Sequence, residues 1–153
     1  MKKAFRLVLT LGIIFILISC SAQDDTSKGN SDNTDFKKIT STNTSSQTVA
    51  NQAKEKLQKR EGVTSIHAVN TDKQLIIAFE IEHHKRFQLA SIRKKVHKQM
   101  EKTFPEHEAE VSTDKRIILD LQELEKKVDK GKLSKKQLKK EVKQLVKRMK
   151  DKT

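Results

Sequence analysis

One thiol, five imidazoles and a row of lysines are the side chains of this sequence whose types and spacing could do chemistry. The thiol is Cys20, the single cysteine, so no disulfide can form within the chain. It reacts as a nucleophile only as a thiolate. The imidazoles are His67, His83, His84, His97 and His107. None pair at the i, i+4 step of a helical metal site, and no second cysteine is present to assist. His83 and His84, with Glu80 and Glu82, form the one cluster. Adjacent side chains at a strand end point to opposite faces, so these two cannot easily share an ion, and no metal is expected. Glu80 and Glu82 read as the wet side of a strand rather than as an acid–base pair. Serines and aspartates accompany the histidines in no nucleophile motif. With four glycines in all, there is no phosphate-cradling loop. The residues therefore predict neither a catalytic centre nor a cofactor.

Cys20 gains meaning from what precedes it. Lys2, Lys3 and Arg6 are followed by the apolar, uncharged run Leu7–Ile18, then Ser19. Charge, apolar run and small residue make a secretory signal over residues 1–19. That run is well short of the roughly 20 residues that span a bilayer. Leu17-Ile18-Ser19-Cys20 resembles the lipobox of diacylglyceryl-modified bacterial lipoproteins. The resemblance implies a thioether from Cys20 to a lipid and cleavage between Ser19 and Cys20. Membrane partnership would then come through that lipid, whose two acyl chains satisfy the two-signal rule for stable anchoring.

Charge divides the remainder. Of the net charge of +13, residues 126–153 hold 13 Lys/Arg against 3 Asp/Glu, and residues 20–125 hold equal numbers of each sign. The basic character thus belongs to the C-terminal end, which suits an anionic partner. Residues 20–46 are rich in Ser, Thr, Asp, Asn and Gln and read as a disordered tether. As a random coil it would span on the order of 25–30 Å.

From residue 47 to 130 the hydrophobic period alternates between helix and strand. Val49, Ala50, Ala53 and Leu57 predict a helix ending near Gly62. Val63–Val69 and Leu75–Ile81, joined by the polar turn Asn70–Lys73, predict a hairpin. After a charged connection, Leu89, Ile92, Val96 and Met100 predict a second helix, wet at Arg93, Lys94, Lys95 and Lys98 and ending by Pro105. Ala109 and Val111 alternate with polar neighbours as a short strand. Thr113 or Asp114 can cap a third helix with the apolar face Ile117, Ile118, Leu121, Leu124 and Val128. Helix, strand, strand, helix, strand, helix predicts an α+β domain: a small three-stranded sheet with helices on one face.

Residues 131–153 predict a further basic amphipathic helix. Ser134 and Gln137 fit a capping box. Leu138, Val142, Leu145, Val146 and Met149 form one stripe, surrounded by Lys135, Lys136, Lys139, Lys140, Lys143, Lys147 and Lys150. Two uses of this helix stay open. It can dock the stripe on the domain, or lie on anionic lipid headgroups or wall polymers with its lysines in contact. Nucleic acid fits poorly, because no aromatic residues interleave with the lysines for base stacking.

The helix leading into Val63–Ala68, the apolar strand Leu75–Ile81, the basic helix, and Val111-Ser112-Thr113-Asp114 before an apolar helix together resemble the sporulation lipoprotein family of endospore-forming bacteria, the YhcN/YlaJ type. The resemblance covers about 47–130 and the lipobox, and departs from the family pattern at Phe79 and Glu80. The element order is also similar to small phospholipid-associated BON-type domains. The resemblance implies a non-catalytic role in spore formation or germination, on the extracytoplasmic face of a cell membrane or spore inner membrane. A secreted basic module that binds anionic polymer, or an envelope hydrolase, are the alternatives.

Overall fold

The computed structural model describes residues 37–40 and 45–151. Helix α1 (Thr48–Gln58) is followed by strands β1 (Val63–Asn70) and β2 (Gln74–Ile81). A 3-10 turn (His83–Gln88) leads into α2 (Leu89–Thr103), β3 (Glu108–Ser112), α3 (Lys115–Asp129) and α4 (Lys135–Lys150). The expected element order holds, and the class is α+β. The expected charged connection after β2 is partly regular, forming the 3-10 turn.

β2 is the central strand, antiparallel to β1 and parallel to β3. Its run Leu75-Ile76-Ile77-Ala78-Phe79 has no exposure at any position. Alternate residues of a strand face opposite sides, so an unbroken apolar run must be covered on both. Leu75, Ile77 and Phe79 pack with Ala50, Ala53 and Leu57 of α1 and Val96 and Met100 of α2. Ile76 and Ala78 pack with Ile117, Leu121 and Leu124 of α3 and Leu138, Val142 and Leu145 of α4. The expectation of helices on one face is therefore corrected: α1 and α2 cover one side, α3 and α4 the other.

The helix ends follow from local chemistry. Gly62 adopts φ +82 after α1, and a Cβ there would lie 2.6 Å from the Lys85 side chain. Asp114, not Thr113, caps α3 by accepting from the amides of Arg116 and Ile117. Ser134 and Gln137 complete the capping box of α4. The N-terminus of α1 has no cap from Gln47. Asn70 of β1 supplies it instead, its Oδ1 accepting from the Ala50 amide at 3.0 Å. Gln47 is thereby free to clasp the outer edge of β1. Its Oε1 accepts from the Asn70 amide at 3.0 Å and its Nε2 donates to the Asn70 carbonyl at 2.9 Å, as a neighbouring strand would.

The tether was expected to run to residue 46, but residues 37–40 lie against the domain. Ile39 is 6% exposed and joins the α3–α4 core. Its amide donates to Asn51 Oδ1 at 3.0 Å, and its carbonyl accepts from Asn51 Nδ2 at 2.9 Å. Asp129 takes Lys37 Nζ at 2.8 Å and the Thr40 amide at 3.2 Å. Residues 1–36, 41–44 and 152–153, including the expected signal and most of the expected tether, lie outside the described residues.

The Lys37 hydrogen bond, followed by that from the Thr40 amide, holds the Asp129 carboxyl below its ordinary value. A depressed carboxylate stabilises the docked state above its unfolded pKa and loses that contribution as pH falls through the lower, folded one. Docking of residues 37–40 is thus at full strength at neutral pH and weakens below about pH 4. Asp129→Asn is expected to accelerate amide exchange at Thr40 and tryptic cleavage after Lys37 and Lys38 at neutral pH. Unchanged rates would show that Asp129 does not hold the segment, leaving it to Ile39, Asn51 and Lys54.

Candidate functional site

The basic helix α4 is docked. Leu138, Val142, Leu145, Val146 and Met149 are all buried against the sheet and α3. Each such side chain is worth about 1.5–3 kcal/mol on burial. Moving the stripe into lipid would uncover Ile76, Ala78, Leu121 and Leu124, which it now shields. Of the two uses the sequence left open, docking of the stripe on the domain is the one seen here: α4 closes the core.

The seven lysines divide by what they meet. Lys135 and Lys139 both hold Asp72 in the β1–β2 turn, each at 3.0 Å. The Lys139 ammonium, then that of Lys135, keeps the Asp72 carboxyl below its usual range. Lys150 binds Glu110 at 2.9 Å and Glu108 at 3.4 Å, and the Glu110 carboxylate is the main cause of its raised pKa. Arg148 meets Asp120 at 2.7 Å. The lysine pairs clamp the two ends of α4 to the sheet, and Arg148 ties it to α3. Lys136, Lys140, Lys143 and Lys147 are exposed and make no ion pair with any described residue. Steps of four, three and four residues place them in one line along the helix, about 16 Å long at 1.5 Å per residue. The result is a straight ridge of uncompensated positive charge, turned away from the buried stripe.

A second cluster was not foreseen. Lys54 of α1 is fully buried, and its Nζ meets Glu125 Oε1 of α3 at 2.8 Å. The same ammonium donates to the Lys37 carbonyl. Glu125 Oε1 also accepts from the Ala68 amide at 2.9 Å. Its Oε2 meets His67 Nδ1 at 2.6 Å, and His67 Nε2 meets Ser65 Oγ at 3.2 Å. Serine, histidine and carboxylate stand here in the order used for acyl transfer. That chemistry also needs a nucleophile facing a substrate cavity and donors for an oxyanion. The adjoining cavity, about 220 Å³, is lined by Lys37, Ile39, His67 and Glu125, and Ser65 is not part of its wall. The carboxylate instead neutralises a buried ammonium and covers the free edge of β1. The cluster welds α1, β1, α3 and the docked segment together.

The remaining expected residues are scattered. Cys20 lies outside the described residues. His83 and His84 sit exposed on the 3-10 turn rather than at a strand end, and His84 meets Glu82 at 3.3 Å. Among the described residues no group of three or more His, Cys, Asp or Glu could hold a metal ion. No described helix is long and apolar enough to cross a membrane.

Fold and site together are those of a small α+β domain with a cationic outer helix. The sequence pattern of the sporulation lipoprotein YhcN/YlaJ family matches residues 21–150, and the chain belongs to that family. The match begins at the residue after Cys20 and includes α4, so the basic helix is part of the family region rather than an addition to it. No curated protein and no solved structure matches the chain.

Removing one partner of a buried ion pair costs about 3–5 kcal/mol, whereas replacing both with apolar residues costs much less. Glu125→Gln and Lys54→Met are each expected to lower unfolding stability by about that amount. The double change Lys54→Met with Glu125→Gln should recover most of it in urea titrations, because the glutamine oxygen still accepts from the Ala68 amide. A double variant as unstable as the sum of the singles would contradict the pairing.

Proposed function

We propose that the protein is a non-catalytic lipoprotein of the sporulating cell, anchored on the extracytoplasmic face of its membrane through a diacylglyceryl group on Cys20. The domain presents the ridge of α4 to a surface of anionic headgroups or wall polymer. The family assignment supports the sporulation and lipoprotein parts of this reading. The observation that carries the rest is the division of α4: its apolar stripe closes the core, and Lys136, Lys140, Lys143 and Lys147 remain uncompensated in a line.

Each lysine close to an anionic leaflet contributes about 1 kcal/mol, and the effect decays within a Debye length. The lipid already holds the domain near that leaflet, so even this modest attraction acts at high effective concentration. The tether and ridge work together: the first sets location, the second sets which side faces the surface.

Changing Lys136, Lys140, Lys143 and Lys147 to Gln in the unlipidated chain is expected to weaken binding to anionic vesicles at low salt. The loss should approach a thousandfold, from about 1 kcal/mol per charge. Changing Lys135, Lys139 and Lys150 should cost less, because carboxylates already neutralise them. Equal losses from the two sets, or none, would remove the ridge from the account. Deleting α4 is the wrong variant, since it would strip one face of the sheet.

A further inference from the structure

β3 is an edge strand, bonded to β2 on one side only. The Glu108 amide donates to the Lys73 carbonyl at 2.8 Å, and Gln74 pairs with Glu108 in parallel register. In a parallel ladder, alternate residues direct both backbone groups to the same neighbour. Glu108, Glu110 and Ser112 therefore face β2, and the amides and carbonyls of Ala109 and Val111 face outward. No described residue bonds to these outward groups. The opposite edge of the sheet is treated differently, since Gln47 and Glu125 cover β1.

The open edge lies in a cleft of about 630 Å³ between α2 on one side and the end of α4 on the other. Val111, Ile117 and Met149 give it apolar wall, and Arg93, Lys94 and Lys150 give it charge. Lys150 is already matched by Glu110 and Glu108, and Asp114 is engaged in capping α3. Arg93 and Lys94 make no ion pair with any described residue, and Arg93, Lys94 and Lys150 outnumber Glu110 and Asp114 among the lining residues by one charge, so the wall is positive on its α2 side.

We propose that this cleft is a docking site for an extended acidic peptide segment of a partner protein, which adds to the sheet as a fourth strand along β3. Unpaired edge groups template such a strand, and pockets or charges beside the edge select its sequence. The backbone of Ala109 and Val111 supplies the shared hydrogen bonds. Arg93 and Lys94 select acidic side chains over basic ones. A whole folded domain fits less well, because α2 and α4 stand on both sides of the edge.

The test uses chain 20–153 with Cys20→Ala and extended peptides of about eight residues, alternating valine with glutamate, glutamine or lysine. The glutamate peptide is expected to slow amide exchange at Ala109 and Val111 specifically, and to bind at least about tenfold more tightly than the lysine peptide. Val111→Pro removes an outward donor while leaving the ladder to β2, and should abolish binding. Arg93→Glu with Lys94→Glu changes only surface charge and should reverse the peptide preference. The proposal is overturned if no peptide protects these amides, or if the charge reversal leaves the preference unchanged. Protection of the same amides without peptide would also overturn it, assigning the edge to a second copy if it rises with concentration and to the chain's own N-terminal segment if it does not.

Discussion

Everything in this domain follows from the double-sided burial of β2. Five consecutive apolar residues in one strand cannot be satisfied by a single layer of helices. α1 and α2 close one face, which leaves Ile76 and Ala78 to be covered from the other. α3 alone leaves part of that face bare, and α4 completes it. A helix that looks from its charges like a peripheral attachment is therefore a component of the core. That constraint decides what the helix can offer outside: charge in a line, and no apolar face.

Much of this was legible in the residues. The capping box at Ser134 and Gln137, the glycine stop at Gly62 and the apolar periodicities of α2, α3 and α4 each have one local solution, and the structure adopts it, while of the two caps open to α3 it uses Asp114. The two-layer arrangement was also present in the sequence, as an unbroken rather than alternating β2. The element order alone suggests helices on one face. The docked segment at residues 37–40 was less accessible, because a single isoleucine in a polar stretch carries little signal. Its hold comes from Asn51 and Asp129, distant in the chain.

The buried charge cluster left a fainter trace. Lys54 sits four residues after Ala50 and three before Leu57, and Glu125 sits four after Leu121 and three before Val128. Helical spacing thus puts a lysine and a glutamate on two apolar stripes, where each needs an opposite charge. Only the packing of α1 and α3 about the edge of β1 shows that they meet each other. Burial of such a pair adds little net stability but forbids alternatives in which either charge is left alone. It fixes how α1 and α3 sit against the sheet, and it ties the chain's approach from Lys37 to the same point. The approach segment and the outer ridge are thereby referred to one rigid frame.

The most direct test of that frame follows a fluorescent thiol label placed in turn at Leu145→Cys and Lys143→Cys, with Cys20 replaced, as anionic vesicles are added. The account requires the position 145 thiol to resist labelling in the native chain, with or without vesicles. It requires the position 143 thiol to label freely in solution and become shielded on the vesicle, without the spectral shift of a probe immersed in hydrocarbon. A position 145 thiol that becomes reactive and enters the lipid interior when vesicles are added would mean that α4 leaves the core to bind the membrane, and the division between its two faces would fail.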